Sequence, residues 1–172
     1  IRSKGYKGSQ AALYRYINKH IKSSTPGQRV YQRYETAAGE QMQYDWSDYT
    51  IMIGGDLVKV HVHSTILGHS RYRVYSASLK VKQSDVFEAL EESFWEFGGV
   101  CERIQVDNAK VFVDNAGNQN FKWNDRFQNF CGFFGITPSR SAPYHAWSKG
   151  KVEKPFDFLE EHFIKGNTFR SF

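Results

Sequence analysis

Three carboxylates stand in sequence settings that suit them to binding metal ions. Asp45 lies in the run YDWSD, Asp107 ends the run RIQVD, and Glu153 follows the run SKGKV. The first two close short apolar, strand-like stretches and the third enters a helical pattern, so folding could gather them from distant parts of the chain. Carboxylates are the ligands that hard cations prefer, and pairs of Mg²⁺ ions stabilise the attacking and leaving oxygens in many phosphodiester reactions. The sequence therefore predicts a site for two Mg²⁺ or Mn²⁺ ions in a DNA-processing enzyme.

Taken singly, each carboxylate is weak evidence, because an Asp after a strand is usually a turn former. Their settings strengthen the hypothesis. Asp45 lies in mid-strand among apolar residues, where an uncompensated charge is costly and a metal ion would offset it. Asp107 is followed by Asn108 at the carboxyl end of a strand, which is the usual rim for a site on an α/β sheet.

The composition is that of a folded, water-soluble domain. The chain has 172 residues, of which 40% are hydrophobic and 16% aromatic, enough for one sizeable core. Its apolar stretches are broken by charges well short of a membrane span, and its start, IRSKGYKG, has no hydrophobic signal region. We therefore expect an intracellular protein with no membrane partner. Cys101 and Cys131 lack CxxC spacing and are predicted to be buried free thiols.

The charge is concentrated at one end of the chain. Eight Lys or Arg residues precede Glu35 without any Asp or Glu, whereas the remainder holds 15 basic and 18 acidic residues. Such a basic arm is typical of a segment that follows DNA phosphates, with a solvated tail or linker as the alternative. The residues of the arm that we expect to contact DNA are Lys4, Lys7, Arg15 and Lys19.

The order of predicted elements indicates an α/β fold. Residues 1–38 read as a helical arm, capped by Ser9, and an extended linker; residues 39–172 read as the body. Strands are predicted at 41–47, 57–66, 71–79, 103–106 and 136–141, with helices at 84–97 and 124–134 and a last helix burying Val152, Phe156, Leu159 and Phe163. This order predicts a ribonuclease H-like core, with a mixed sheet of about five strands flanked by helices.

Three motifs resemble those of a known family. DWSDY, VDNAK and PYHAWSKGKVEKP are similar to the D-D-E catalytic core of transposases and retroviral integrases. Within that group, GEQMQYDWSDY and KGKVEKP most resemble IstA-type insertion-sequence transposases. The segment GYKGSQAALYRYI also resembles the end of that family's helix-turn-helix region, so the resemblance covers nearly the whole chain.

The resemblance implies a function and a set of partners. Asp45, Asp107 and Glu153 would be the metal-binding triad of an enzyme that cuts transposon-end DNA and joins the 3′-hydroxyl to target DNA. The protein would act as a homo-oligomer on DNA, in the bacterial cytoplasm at the nucleoid, with an IstB-type AAA+ ATPase helper. The sequence has no GxxxxGK[ST] motif, so the chain itself is not expected to bind ATP through a P-loop.

Two departures leave the third ligand open. Forty-five residues separate Asp107 from Glu153, a longer interval than many integrases have, and the excess is assigned to the loop from 114 to 124. Pro155 follows Glu153 by two residues, which places Glu153 in the first turn of a helix. Asp157 and Glu160 fall on a similar helical face and are alternative ligands, although the KGKVE match favours Glu153.

Several further residues are candidates for supporting roles. Lys149, Lys151 and Lys154 could contact phosphates or form a solvated helix start, and Asn108 and His145 could support the ligands or contact DNA. His61 and His63 share a strand face at a spacing that can bind zinc, but they have no Cys or His companions nearby.

Two other functions remain open. One is a ribonuclease H-like nuclease, which would use a fourth acid such as Asp48 or Asp157. The other is a non-catalytic DNA- or partner-binding module, in which the carboxylates are a structural remnant.

Overall fold

A computed structural model describes residues 9–17, 35–115, 120–140 and 156–172. The chain separates into two compact units, residues 1–34 and 35–172. In the first unit, helix α1 (Gln10–Tyr16) begins after Ser9, whose hydroxyl accepts a hydrogen bond from the Ala12 N–H at 3.2 Å. The predicted cap at Ser9 is therefore confirmed. Residues 18–34, which include the predicted linker, lie outside the described residues.

The second unit is built on a mixed sheet. The strands are β1 (Gln41–Ile53), β2 (Asp56–Leu67), β3 (Arg73–Ser78), β4 (Arg103–Val106), β5 (Val113–Asn115), β6 (Lys122–Trp123) and β7 (Thr137–Arg140). The order of the sheet is β3-β2-β1-β4-β7, in which β1, β2 and β3 pair antiparallel while β4 runs parallel to both β1 and β7. The predicted five-stranded mixed sheet is confirmed, and a separate two-stranded ribbon joins β5 to β6.

The first hairpin is longer than predicted. Strand β1 continues past Ser47 to Ile53, which pairs with Asp56 across a two-residue turn. Gly54 and Gly55 form that turn with φ values of +61° and +98°, a conformation that residues with a side chain rarely adopt. The glycines therefore let the hairpin close six residues beyond the predicted end of the strand.

Helices α2 (Gln83–Phe97) and α3 (Asp125–Phe134) cover one face of the sheet. The Phe87 and Phe130 rings stack between them with centroids 4.4 Å apart. The prediction of two buried free thiols is confirmed for Cys101 and Cys131, and Phe94 and Phe127 are buried with them. These residues form one core with Met42, Tyr44, Ile104 and Val106 of the sheet.

Both helices end at the predicted residues, 97 and 134, and each is followed by a glycine, but the start of α2 differs. Gly98 and Gly135 adopt left-handed conformations with φ of +71° and +69°. Helix α2 begins at Gln83, one residue before the predicted Ser84. The Asp85 carboxylate sets this start, because it accepts a hydrogen bond from the Lys82 N–H at 2.7 Å.

The C-terminal helix, residues 156–164, changes its periodicity along its length. Residues 156–159 are α-helical, and Glu160–Ile164 form a π-helix, in which the Lys165 N–H donates to the Glu160 carbonyl at 2.8 Å. The predicted burial of Phe163 is wrong, since its side chain is 56% exposed. The wider π-turn moves Phe163 off the stripe that a 3.6-residue period predicts, and its ring packs on Phe169 instead. Val152 lies outside the described residues.

The C-terminal segment, residues 156–172, contacts β1 at two points. The Tyr49 hydroxyl donates to the Phe156 carbonyl at 3.5 Å, and Ile53 forms a bridge with Phe169. Within the described parts of the chain, no helix is long and apolar enough to cross a membrane.

Candidate metal-binding active site

Asp45 lies on β1, and Asp107 directly follows β4, the parallel neighbour of β1. The pairs Gln41–Arg103 and Gln43–Gln105 define the register of β1 against β4. Continued by two residues, that register sets Asp45 opposite Asp107. Paired strands are about 4.8 Å apart, and residues opposite each other point to the same face. The sheet therefore brings together two of the three predicted carboxylates.

The alternation that builds the core also sends both carboxylates to the other face. Met42 and Tyr44 of β1 are buried in the helix-covered core, so Asp45 points away from it. Ile104 and Val106 do the same for β4, so Asp107 also points away.

The two strands are tied together on the carboxylate face just before the acids. The Gln105 side-chain oxygen accepts hydrogen bonds from the amide groups of Gln41 and Gln43, the latter at 3.0 Å. These bonds hold the two strands at the positions that lead into Asp45 and Asp107.

Local hydrogen bonds restrain each carboxylate. Asp107 Oδ1 accepts a bond from the Ala109 N–H at 2.9 Å, which is an Asx turn, and Asp45 Oδ1 accepts one from the Trp46 N–H at 3.1 Å. Both side chains are half-buried. Burial raises the pKa of Tyr44, and the charges of Asp45 and Asp107 raise it further. Both carboxylates therefore lie close enough to Tyr44 for their charges to affect its pKa.

Buried oxygen atoms surround this pair of carboxylates. Ser64 of β2 pairs directly with Asp45 of β1, and Asn108 follows Asp107 in the sequence. Ser64 Oγ, Gln43 Oε1 and Asn108 Oδ1 are buried, and none has a hydrogen-bond partner among the described residues. A hydrated cation brings water molecules that donate to such oxygens. The oxygen-rich donor set therefore fits Mg²⁺ or Mn²⁺.

Asp48, the fourth acid considered for a nuclease, does not join the pair. It lies on the opposite face of β1 from Asp45, where it binds Lys59 at 2.8 Å and His61 at 2.5 Å. The hydrogen bond from Lys59, supported by His61, holds the pKa of Asp48 below its usual value. Its charge is therefore already balanced on the helix-covered side of the sheet.

Asp157 and Glu160, the alternative third ligands, lie near Tyr49. Burial raises the pKa of Tyr49, and the charges of Glu160 and Asp157 add to the increase. Tyr49 shares a face with Asp45 but is four residues further along β1, which is about 13 Å. Within the residues that the structure describes, no group of three His, Cys, Asp or Glu side chains could hold a metal ion.

The remaining predicted site residues fall in two groups. Arg15 is exposed on α1 in the first unit. The others lie outside the described residues, so their roles stay predictions: Lys4, Lys7, Lys19, His145, Lys149, Lys151, Glu153 and Lys154.

Sequence reasoning missed the contact between Tyr44 and His63. His63 is 2% exposed, and its Nδ1 lies 2.5 Å from the Tyr44 hydroxyl. His61 and His63 share a face as predicted, but His61 binds Asp48 instead. The available signal was a Tyr next to a candidate ligand together with a His between Val62 and Ser64 in the neighbouring strand.

Comparisons with known proteins identify the family of the chain. Residues 35–146 match the integrase core domain. The protein assigned as the transposase of insertion sequence element IS5376 from Geobacillus stearothermophilus is 36% identical to this chain, and the match covers 99% of this chain and 42% of that protein. The transposase for insertion sequence element IS21 from Pseudomonas aeruginosa is 31% identical, over 100% of this chain and 44% of that transposase. The chain thus spans about half the length of the curated relatives it matches.

A solved structure shows the same fold. The catalytic core domain of HTLV-2 integrase, in a dimeric form in complex with magnesium, matches with a TM-score of 0.58 and 18% identity. The match covers 74% of this chain and 72% of that one. The predicted ribonuclease H-like, retroviral integrase-type fold is therefore confirmed. The recognition from DWSDY and VDNAK is confirmed as well: the chain belongs to the integrase core domain family, together with the insertion-sequence transposases.

Proposed function

We propose that this chain carries the catalytic core of a transposase that cuts transposon-end DNA and joins the freed 3′-hydroxyl to target DNA. Its similarity to insertion-sequence transposases supports this function. The observation that carries the proposal is the parallel register of β1 against β4, which, continued two residues past Gln43 and Gln105, sets Asp45 opposite Asp107. Two carboxylates on one face, bordered by buried oxygens, suit a cation that acts on phosphate.

Asp45, Asp107 and Glu153 would hold the metal ions. Bound Mg²⁺ or Mn²⁺ would neutralise charge on the attacking and leaving oxygens of the phosphodiester. The task of the protein is to keep its carboxylates ionised and oriented. The Asx turn of Asp107 and the glutamine bonds before Asp45 serve that purpose.

The course of the C-terminal helix supports Glu153 as the third ligand. Phe156 contacts β1 at Tyr49, and Phe169, five residues beyond the helix, pairs with Ile53, so the segment from Phe156 to Phe169 runs in the direction of β1. Glu153 precedes Phe156 by three residues in the sequence. Three residues span at most about 10 Å, which together with a Glu side chain is enough to reach Asp45 from the level of Tyr49. Asp157 and Glu160 follow Phe156, so they lie on the part of the segment that runs away from Asp45.

The partners follow from the same function. The basic arm, with Lys4, Lys7, Arg15 and Lys19, would follow the phosphates of transposon-end DNA. Asn108 and His145 would contact the DNA or support the ligands, and Lys149, Lys151 and Lys154 would contact phosphates near the scissile bond. We further propose a homo-oligomer on DNA, an IstB-type ATPase helper and action at the bacterial nucleoid.

Calorimetric titration of Mn²⁺ into the chain tests the site. Asp45→Asn, Asp107→Asn and Glu153→Gln should each weaken binding by at least about tenfold, because each removes a charged ligand. The matched control is Asp48→Asn, an acid on the same strand but the opposite face, which should bind as the wild type does. Wild-type affinity in Asp107→Asn would show that the assignment is wrong.

The products formed on DNA distinguish transposition from hydrolysis. With Mn²⁺ and a labelled duplex that ends in a free 3′-hydroxyl, the proposed function gives joined strands of increased length. Shortened strands alone would favour the ribonuclease H-like nuclease. DNA binding with no Mn²⁺ binding and no product would favour the non-catalytic module.

A further inference from the structure

A chain of hydrogen bonds crosses three strands beside the carboxylate pair and runs from the core toward the surface. The Tyr44 hydroxyl on β1 lies 2.5 Å from His63 Nδ1 on β2, and His63 Nε2 lies 2.8 Å from Ser78 Oγ on β3. Ser78 is half-buried, and its Oγ donates to the Lys80 carbonyl at 2.6 Å in an exposed hydrogen bond. Tyr44 and His63 are each only 2% exposed, so the polar atoms of these two side chains must be satisfied within the protein.

The direction of each bond follows from its last member. A carbonyl oxygen only accepts, so the Ser78 hydroxyl donates its proton to Lys80 and accepts from His63 Nε2–H. Burial, aided by the charge of His61, lowers the pKa of His63 to about 4, which keeps the imidazole neutral near pH 7. Its Nδ1 is then an acceptor, and the Tyr44 hydroxyl donates to it. One tautomer of His63 satisfies all three bonds.

Tyr44 also connects the two segments that carry the carboxylates. It directly precedes Asp45, and its ring packs edge-on against Phe112 with centroids 5.7 Å apart. The Phe112 N–H donates to the Ala109 carbonyl at 2.9 Å, and the Ala109 N–H donates to Asp107 Oδ1 at 2.9 Å. The Tyr44 ring therefore supports the turn that orients Asp107, while its hydroxyl is anchored to β2.

We propose that Tyr44, His63 and Ser78 are positioning residues that hold Asp45 and Asp107 at the separation that binds metal. This inference depends on the proposed function, because it assigns a purpose to the spacing of those carboxylates. Removing one member leaves a buried partner unpaired and frees the Tyr44 ring to rotate or shift. The displacement then reaches Asp45 through the backbone and Asp107 through Phe112.

Ser78→Ala provides the sharpest test, since Ser78 lies two strands away from Asp45. The matched control is Ser76→Ala, which removes a hydroxyl from the same strand and face, directly opposite His63. In calorimetric titrations with Mn²⁺, Tyr44→Phe should bind about tenfold more weakly than the wild type and Ser78→Ala at least about threefold more weakly. Ser76→Ala should bind as the wild type does.

A double variant tests whether these residues act as one unit. If Ser78 acts through His63 on Tyr44, then Tyr44→Phe with Ser78→Ala binds Mn²⁺ no more weakly than Tyr44→Phe alone. Losses that multiply would show separate effects and overturn the inference. If both single variants bind Mn²⁺ with wild-type affinity, even with lowered stability, the hydrogen bonds from Tyr44 to Ser78 have only a structural role and the inference is overturned.

Nuclear magnetic resonance separates this inference from the proposed function. The ring carbon and nitrogen shifts of His63 should report the neutral Nε2–H tautomer. Ser78→Ala should move the amide signals of Asp107 and Ala109, and Ser76→Ala should not. If the wild type binds no Mn²⁺, the assignment of the metal site is wrong. The amide shifts alone then decide whether a change at Ser78 is transmitted through the hydrogen bonds to Asp107. Unmoved signals in Ser78→Ala would disprove the coupling.

Discussion

Asp107→Asn should stabilise the protein without metal and remove its stabilisation by metal. Asp107 directly follows β4, where the register of β1 against β4 sets it opposite Asp45, so the two negative charges repel each other when no cation lies between them. Asn has nearly the same shape, and its oxygen can still accept the bond from the Ala109 N–H. The substitution therefore removes the charge and keeps the local turn.

The magnitude follows from the strand geometry. Two unit charges about 4.8 Å apart interact with about 0.9 kcal/mol at the dielectric constant of water and about 3.5 kcal/mol at an effective value of 20. Both side chains are half-buried, so we expect relief of about 1–2 kcal/mol. For a chain of this length, that raises the midpoint of thermal unfolding by about 2–8 °C.

Bound Mn²⁺ should make the wild type more stable than Asp107→Asn, the reverse of their order without metal. At a Mn²⁺ concentration of 100 times its dissociation constant, linkage stabilises the wild type by about 2.7 kcal/mol, or about 5–10 °C. Asp107→Asn should gain little under the same conditions. Thermal unfolding followed by circular dichroism, in EDTA and in Mn²⁺, measures both differences.

Asp48→Asn serves as the control for a lost acid. It should lower the midpoint slightly in both solutions, because it loses its ion pair with Lys59, and it should keep the gain from Mn²⁺. If Asp107→Asn melts below the wild type in EDTA, the two carboxylates do not repel each other and the reasoning from strand register fails.

Two further predictions concern the fold. Gly68→Ala should lower the free energy of unfolding by about 1–3 kcal/mol, since its Cβ would collide with Thr36 Oγ1 and lie 2.9 Å from the Gln41 carbonyl oxygen. Gly132→Ala in α3, where the added Cβ meets no described heavy atom within 4 Å, should raise the free energy of unfolding by about 0.5–1 kcal/mol. The wild type should lose about 2 kcal/mol more than His63→Gln between pH 7.5 and 5, because burial lowers the pKa of His63 to about 4.

The sign of the pH effect follows from proton binding. Between the unfolded pKa of about 6.5 and the folded pKa of about 4, the unfolded chain binds the extra proton, so stability falls as the pH falls through that window. Urea unfolding at the two pH values measures the difference, and equal losses in wild type and variant would contradict it. Urea unfolding of the two glycine variants likewise tests the close packing at Gly68, which equal stabilities would disprove.

The sequence predicted the local elements of the core with small errors. Strand β4 was predicted at the residues where it lies, and both core helices end at their predicted last residues, Phe97 and Phe134. These features depend on side chains within one or two turns of the chain, where backbone geometry sets the period and glycine adopts left-handed conformations. Errors arose where a local change broke the period, as at the π-helix that exposes Phe163. The division of the chain at residue 38 stays a prediction.

What the sequence determined by itself is the chemistry: which carboxylates follow strand-like runs, which face of each strand is apolar, and which motifs resemble the integrase family. Only the tertiary structure decided that β1 lies beside β4 in a register that sets Asp45 opposite Asp107. It also decided that Tyr44 bonds to His63, diagonally across two strands. The physical reason is that register and strand order depend on the packing of the whole sheet against its helices, and no short stretch of sequence contains that information.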